Sequence, residues 1–352
     1  MKLSDIIKGK KSLKIAYIGG SITEGAGASE LSNRWTSRLS EEIGKCFPGI
    51  SVEEINAGIG GTESTYGLLR LKRDVLRHEP DIVFVEFSLN DEALAEELSE
   101  KAYEGLLRAL MKDEKCPYTI LIGVVGNRDG RTRAALHQKI GAHYGVKMID
   151  LQAEMDALLG KAAPGENTER DKCFTKDNVH PSDHGYAFYT ERILAHMEED
   201  IFFKPFADEK KNAAAFDFDG KFYNAADLMR KGAWEKCGEG DWNKENCGSH
   251  DAGILSRDPE AVLSLDFTGR TVLVGERIGT NYGHMEITLD GEKTTVECYY
   301  PTVNQPVTWF QRFELSGERH HLEVRPIGEK NEKSSDTAIK VDFVCVEEEG
   351  NR

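Results

Sequence analysis

No run of apolar residues approaches the ~18 that a membrane-crossing helix needs. The first strongly apolar segment, Leu13–Ile18, is short and leads straight into Gly19-Gly20-Ser21, so the start of the chain lacks the apolar region of a secretory signal. The expected compartment is the cytoplasm, with no membrane partner. Positive charge is also in deficit. Lys and Arg number 45 against 61 Asp and Glu, for a net charge of −16, and a chain of that balance has no excess of cations to displace the counterions condensed on nucleic-acid phosphates. Cysteines are few: Cys46, Cys116, Cys173, Cys237, Cys247, Cys298 and Cys345 are odd in number, scattered and without a CxxC pair. They read as reduced thiols, not as a disulfide frame or a zinc site. Phosphate-cradling motifs are missing too. Glu30 stands where the third glycine of GxGxxG would follow Gly25 and Gly27, there is no GxxxxGK[ST], and Thr23 takes the place of the last glycine of a GxSxG elbow. No cofactor is expected.

What the chain does have is enough apolar content for a real core. It is 39% hydrophobic over 352 residues, a length that suits two domains. The first two hundred residues alternate apolar runs with amphipathic segments. The runs Leu13–Ile18, Ser51–Asn56, Asp81–Phe87, Tyr118–Val125 and Val146–Asp150 read as strands, and Trp35–Phe47, Ser64–Arg77, Leu94–Met111 and Gly185–Met197 as helices. Continuous Val/Ile/Leu runs separated by helices predict a parallel sheet covered on both faces. Near Phe206 the period changes from helical to alternating. Several runs of period two follow, the last being Ala338–Val346, in which Ile339, Val341, Phe343 and Cys345 are expected to share one face. Asp290-Gly291 between two such runs predicts a tight hairpin. The expected domains are residues 1–205, α/β, and 206–352, an all-β sandwich of jelly-roll type.

The groups able to do chemistry sit at the expected strand ends. Ser21 closes the first strand, where open α/β sheets place their ligands, although Gly-Ser at that place also reads as a helix cap. Asn56–Thr62 (NAGIGGT) is a glycine-rich turn able to present a backbone N–H, and Ser88-Leu89-Asn90-Asp91 offers the Asn90 amide. Asp177 and His180 lie three apart in Asp177-Asn178-Val179-His180-Pro181. A serine nucleophile needs a base near neutral pKa and an acceptor to fix that base's tautomer, and these two residues meet both needs. Asp183 and His184 beside them leave a metal cluster as an alternative. Glu63 and Glu86 are candidate pocket residues, His137 and His143 are expected to be solvated, and Trp35 is expected to pack.

These four blocks together resemble the SGNH (GDSL-like) hydrolase superfamily over roughly residues 13–200. The resemblance implies a flavodoxin-like three-layer α/β/α catalytic domain. It assigns Ser21 as nucleophile, His180 as base and Asp177 as its partner, with the Ser21 and Gly61 N–H groups and the Asn90 amide as the oxyanion hole. Two positions depart from the usual blocks: Gly20 replaces an aspartate, and Ser88 replaces a glycine. The implied activity is ester hydrolysis, with a small-molecule or oligosaccharide ester as substrate and acetyl groups on carbohydrate favoured. A lysophospholipase or acyl-thioesterase, or a glycan-binding protein with a vestigial catalytic half, are the alternatives, and a homo-oligomer is left open. In the second half Trp234, Trp242, Tyr282, Tyr299, Tyr300, Trp309 and Phe310 either stack on sugar rings or fill the core.

Overall fold

A computed structural model describes residues 1–126, 128–238, 253–302 and 305–348. Trp242 and Cys247 lie outside the described residues. The chain divides into two compact units, Met1–Asp217 and Phe218–Arg352. Residues 206–217, which the change of period assigns to the second domain, pack with the first. The Phe206 N–H donates to the Tyr144 carbonyl, the Asn212 N–H to the Glu104 carboxyl, and the Phe216 N–H to the Lys101 carbonyl. The loss of helical period there marks an extended strap over the α/β unit, not a domain boundary.

In the first unit five strands, β1 (Ser12–Gly19), β2 (Ser51–Gly58), β3 (Ile82–Glu86), β4 (Tyr118–Gly123) and β5 (Met148–Asp150), form one parallel sheet in the order β2-β1-β3-β4-β5. That is the flavodoxin-like order, whose switch point lies between β1 and β3. The helices are α1 (Leu3–Ile7), α2 (Ser21–Glu24), α3 (Trp35–Cys46), α4 (Ser64–Asp74), α5 (Glu96–Lys112), α6 (Ala134–His143), α7 (Leu151–Leu159), α8 (Thr168–Asp171) and α9 (Asp183–His196). Helix α3 shows why they lie on the sheet. Trp35, Leu39 and Ile43 recur every fourth residue, all are buried, and Trp35 meets Tyr17 and Phe84 edge-on at 5.1 and 6.0 Å. Strand β3 is buried along its whole length, as a central strand covered on both faces must be. None of the described helices is long and apolar enough to cross a membrane.

The second unit is an antiparallel two-sheet β structure. One sheet runs Glu292–Glu297, His284–Leu289, Arg319–Pro326, Val262–Thr268, Met229–Lys231. The other runs Gln305–Val307, Val272–Ile278, Ile339–Glu348, Gly253–Ser256, Glu235–Cys237. Inward residues of both sheets share one hydrophobic core. Asp290 and Gly291 turn the predicted hairpin with φ of 51° and 87°, the left-handed pair a type I′ turn requires. The last strand departs from simple alternation. A bulge opposite Gly275 and Glu276 shifts its register, so Ile339 and Val341 share the core with Val344 and Val346, while Phe343 packs on Phe222. One unpaired residue, Asp342, moves the following side chains to the other face.

Candidate active site

Ser21 is the first residue of α2, immediately after β1, so its N–H is one of the donors that a helix start leaves without an intrahelical acceptor. Ser21 Oγ lies 2.9 Å from His180 Nε2, and His180 Nδ1 lies 2.7 Å from Asp177 Oδ2. A carboxylate only accepts, so Nδ1 carries the proton, and Nε2 is left to accept the hydroxyl of Ser21.

The spacing of Asp177 and His180 follows from a tight turn. Asn178 takes a left-handed φ of 56°, which asparagine tolerates well, and the chain folds back over the Asp177 side chain. Asp177 Oδ1 accepts the Val179 N–H at 2.8 Å, the His180 N–H at 3.0 Å and the Thr175 hydroxyl at 2.8 Å. Partial burial acts to raise the Asp177 pKa, but hydrogen bonds from the His180 side chain and these neighbours outweigh it and hold the carboxyl well below the usual range. It is therefore ionised throughout the neutral range. The turn is in turn held by backbone bonds between Thr175 and His180 and between Ser182 and Cys173.

The loop after Ser21 is fastened to the start of α9. The Ser29 N–H and hydroxyl donate to Asp183 at 2.9 and 2.5 Å, Asn33 donates to the same carboxyl at 3.2 Å, and the buried Tyr186 hydroxyl donates to the Ala26 carbonyl at 2.7 Å. Asp183 thus ties together the two loops that carry Ser21 and His180. His184 is exposed, and among the described residues no group of three His, Cys, Asp or Glu side chains is arranged to hold a metal ion.

The other predicted groups come to the same edge of the sheet. Gly61 lies in the turn after β2 with φ of 70°, and its N–H meets no acceptor among the described residues. The neighbouring Gly60 N–H donates to Glu24 Oε2 at 2.8 Å, and burial raises the Glu24 pKa against that bond. Asn90 follows β3 and stands directly against the nucleophile turn. A Cβ on Gly20 would fall 2.2 Å from Asn90 Oδ1, so with Asn90 in this pose no aspartate fits at position 20. The second departure has its own use: the buried Ser88 hydroxyl accepts the Val124 N–H at 3.0 Å, pinning the β3 loop to the end of β4.

Glu86, singled out as an acidic residue in an apolar strand, lies beneath the nucleophile turn. It is fully buried, and burial pushes its pKa up to about 7 against the hydrogen bonds it accepts from the Thr23 hydroxyl, at 2.9 Å, and the Gly20 N–H. It braces the turn from inside the protein and does not line the pocket. His137 is a correction. Expected at the surface, it is buried, with Nε2 2.9 Å from Asp91 Oδ2 and its ring stacked on Tyr103 at 3.6 Å. His143 is exposed and bonds the Glu209 carbonyl. Trp35 packs in the core as expected. Sequence reasoning missed Arg70, a fully buried cation on α4 that donates to the Ala57 carbonyl at 2.5 Å and the Gly19 carbonyl at 3.1 Å, clamping the ends of β2 and β1. Its only signal was a charge amid Leu68, Leu69 and Leu71.

In the second unit Tyr282 and Phe310 are buried, Trp234 and Tyr299 are half-buried, and Tyr300 and Trp309 are exposed with ring centroids 6.3 Å apart.

Residues 17–188 match the model of the GDSL-like lipase/acylhydrolase family. Among solved structures, a two-domain esterase active on acetylated mannans matches over 99% of this chain and 95% of its own, at 25% identity and a TM-score of 0.79. The same kind of esterase co-crystallised with mannopentaose matches over 99% and 94%, at 24% identity and a TM-score of 0.81. No curated protein gives a match. With the parallel sheet, the sequence blocks around Ser21, Gly61, Asn90 and His180 and the family match in agreement, residues 17–188 form a domain of the GDSL-like (SGNH) hydrolase kind, and an all-β unit follows it.

Proposed function

We propose that the protein is a serine esterase that removes small acyl groups, acetyl above all, from carbohydrate. The observation that carries the chemistry is the relay from Ser21 Oγ to His180 Nε2 at 2.9 Å and from His180 Nδ1 to Asp177 at 2.7 Å. Ser21 Oγ attacks the ester carbonyl while its proton passes to His180 Nε2. Asp177, ionised and held by its turn, steadies the imidazolium that forms. The tetrahedral oxyanion receives the Ser21 and Gly61 N–H groups and the Asn90 amide, whose hydrogen bonds strengthen as charge develops. His180 then gives its proton to the departing sugar alkoxide, leaving acetyl on Ser21. Water, deprotonated by His180, releases acetate and restores the serine.

The carbohydrate part is supported by the two-unit architecture shared with an esterase active on acetylated mannans, and by the exposed Tyr300–Trp309 pair, whose faces suit sugar rings. Hydrolysis rates on p-nitrophenyl esters from acetate to dodecanoate, set beside acetate release from acetylated mannan, test both parts. Acetate should be the best p-nitrophenyl ester, and acetylated mannan should be deacetylated. A rate that climbs with chain length would point to a lipid ester instead, and turnover by Ser21→Ala would remove the nucleophile assignment.

A further inference from the structure

We infer that Asp91 is a positioning residue that sets the separation of the two loops supplying the Gly61 and Asn90 donors, with His137 holding it in place; this rests on the oxyanion role given to those loops above. Asp91 directly follows Asn90 in the short turn Asn90–Ala93. Its Oδ1 accepts the N–H of Ser64 at 2.8 Å, and Ser64 opens α4 three residues after Gly61. One carboxyl therefore spans from the loop after β3 to the loop after β2. Its other oxygen accepts the Ser99 hydroxyl of α5 at 3.1 Å and His137 Nε2 of α6 at 2.9 Å. Asp91, Ser64 and Ser99 are completely buried, and His137 is 1% exposed.

Three features separate this from ordinary packing. Each Asp91 oxygen is committed, one to the loop bridge and one to two side chains that fix the rotamer. His137 has no partner on Nδ1 among the described residues, so the ring's one hydrogen bond is the one to Asp91, and Tyr103 stacks over its ring to fix the angle. The bridge also joins the start of an eleven-residue helix, whose exposed N–H dipoles favour a negative partner. Removing the carboxyl frees both loops, and each donor then shifts relative to the position of the oxyanion. Since these donors act mainly in the transition state, the loss falls on kcat.

The test is a double-mutant cycle on the full-length protein with p-nitrophenyl acetate. Asp91→Ala should lower kcat about tenfold to a hundredfold with KM within about twofold, below the 10²–10³ expected for losing a donor outright. In an Asn90→Ala background the same change should cost less, because one of the donors it positions is already gone. An equal or larger loss in that background, or no loss in the parent, overturns the inference. If Asp91→Ala does not fold by circular dichroism, Asp91→Asn takes its place. That side chain keeps the acceptor for Ser64 N–H while turning an amide toward Ser99 and His137, and its loss should be about two- to fivefold under the same rule. Full activity of Asn90→Ala itself would instead overturn the oxyanion reading on which the inference rests.

Discussion

Among its described residues the first unit holds two Asp–His pairs within hydrogen-bond distance, Asp177–His180 at 2.7 Å and Asp91–His137 at 2.9 Å, and they do opposite work. The first stands in a loop, with His180 26% and Asp177 50% exposed, and its free Nε2 faces a serine hydroxyl. The second is sealed at 0% and 1%, with an aromatic ring over the imidazole and no nucleophile on its other nitrogen. The pairing is the same, but only one imidazole has somewhere to send a proton. Reactivity at such a pair is decided by what meets the second nitrogen and by whether a substrate can reach it, not by the pair itself.

The sharpest way to break this contrast is to remove the exposed pair. Ser21→Ala or His180→Ala should lower kcat about 10⁴- to 10⁶-fold on p-nitrophenyl acetate, and the double variant should be little worse than either. Their unfolding free energies should stay within about 0.5 kcal/mol of the parent in urea titrations, since Ser21 opens the one-turn helix α2 and His180 stands in a loop. Asn90→Ala should cost roughly 10²–10³ in kcat with KM nearly unchanged, because its amide meets charge that exists only in the transition state. A rise in KM at constant kcat would make Asn90 a ground-state binder.

Glu86 extends the contrast to stability. Its folded pKa of about 7 exceeds the ordinary carboxyl value of 4.5, so the fold favours its protonated form. That stability is present in full below pH 4.5 and is lost as pH rises through 7, on the order of 3 kcal/mol over the window. Glu86→Gln has no proton to lose, and its thermal unfolding should depend less on pH across that window than the parent's. Identical slopes would show that Glu86 is ionised in the fold.

His137→Ala should cost roughly 1–3 kcal/mol in unfolding free energy, by leaving the buried Asp91 carboxyl with one fewer donor, whereas His180→Ala should cost almost nothing. Equal stability losses at the two histidines would erase the distinction drawn here. The smallest effect belongs to the β unit. Trp309→Ala should lower kcat/KM on acetylated mannan about three- to tenfold, the value of one lost aromatic face, while sparing p-nitrophenyl acetate. An equal loss on both substrates would mean that the ring serves the fold and not the sugar.

Much of this was legible beforehand. The strands of the first unit and helices α3, α4, α5 and α9 were marked by apolar runs and helical spacing, and Ser21, Gly61 and Asn90 lie just after β1, β2 and β3, whereas Asp177 and His180, expected at a strand end, lie in the loop between α8 and α9. Short strands such as Met229–Lys231 and Glu235–Cys237 were not legible, because three largely exposed residues carry no apolar period and depend on their neighbours for pairing. The bulge that moves Val344 and Val346 into the core is likewise a property of two strands, invisible in either alone. His137 was misread for a related reason. Its helix has Ala134, His137, Ile140 and Gly141 on the buried face, a stripe too weakly apolar to announce itself, and the partner that makes a histidine acceptable there is forty-six residues away.

The contact between Gly20 and Asn90 has a consequence for substitution. With only 2.2 Å between a Cβ at position 20 and the amide oxygen, any side chain at 20 requires the Asn90 side chain to shift. Alanine at 20 would displace the Asn90 amide, so the loss caused by Gly20→Ala should be smaller in an Asn90→Ala background than in the parent. An acidic residue at 20 would have to come with the Asn90 side chain turned aside, which couples the two positions.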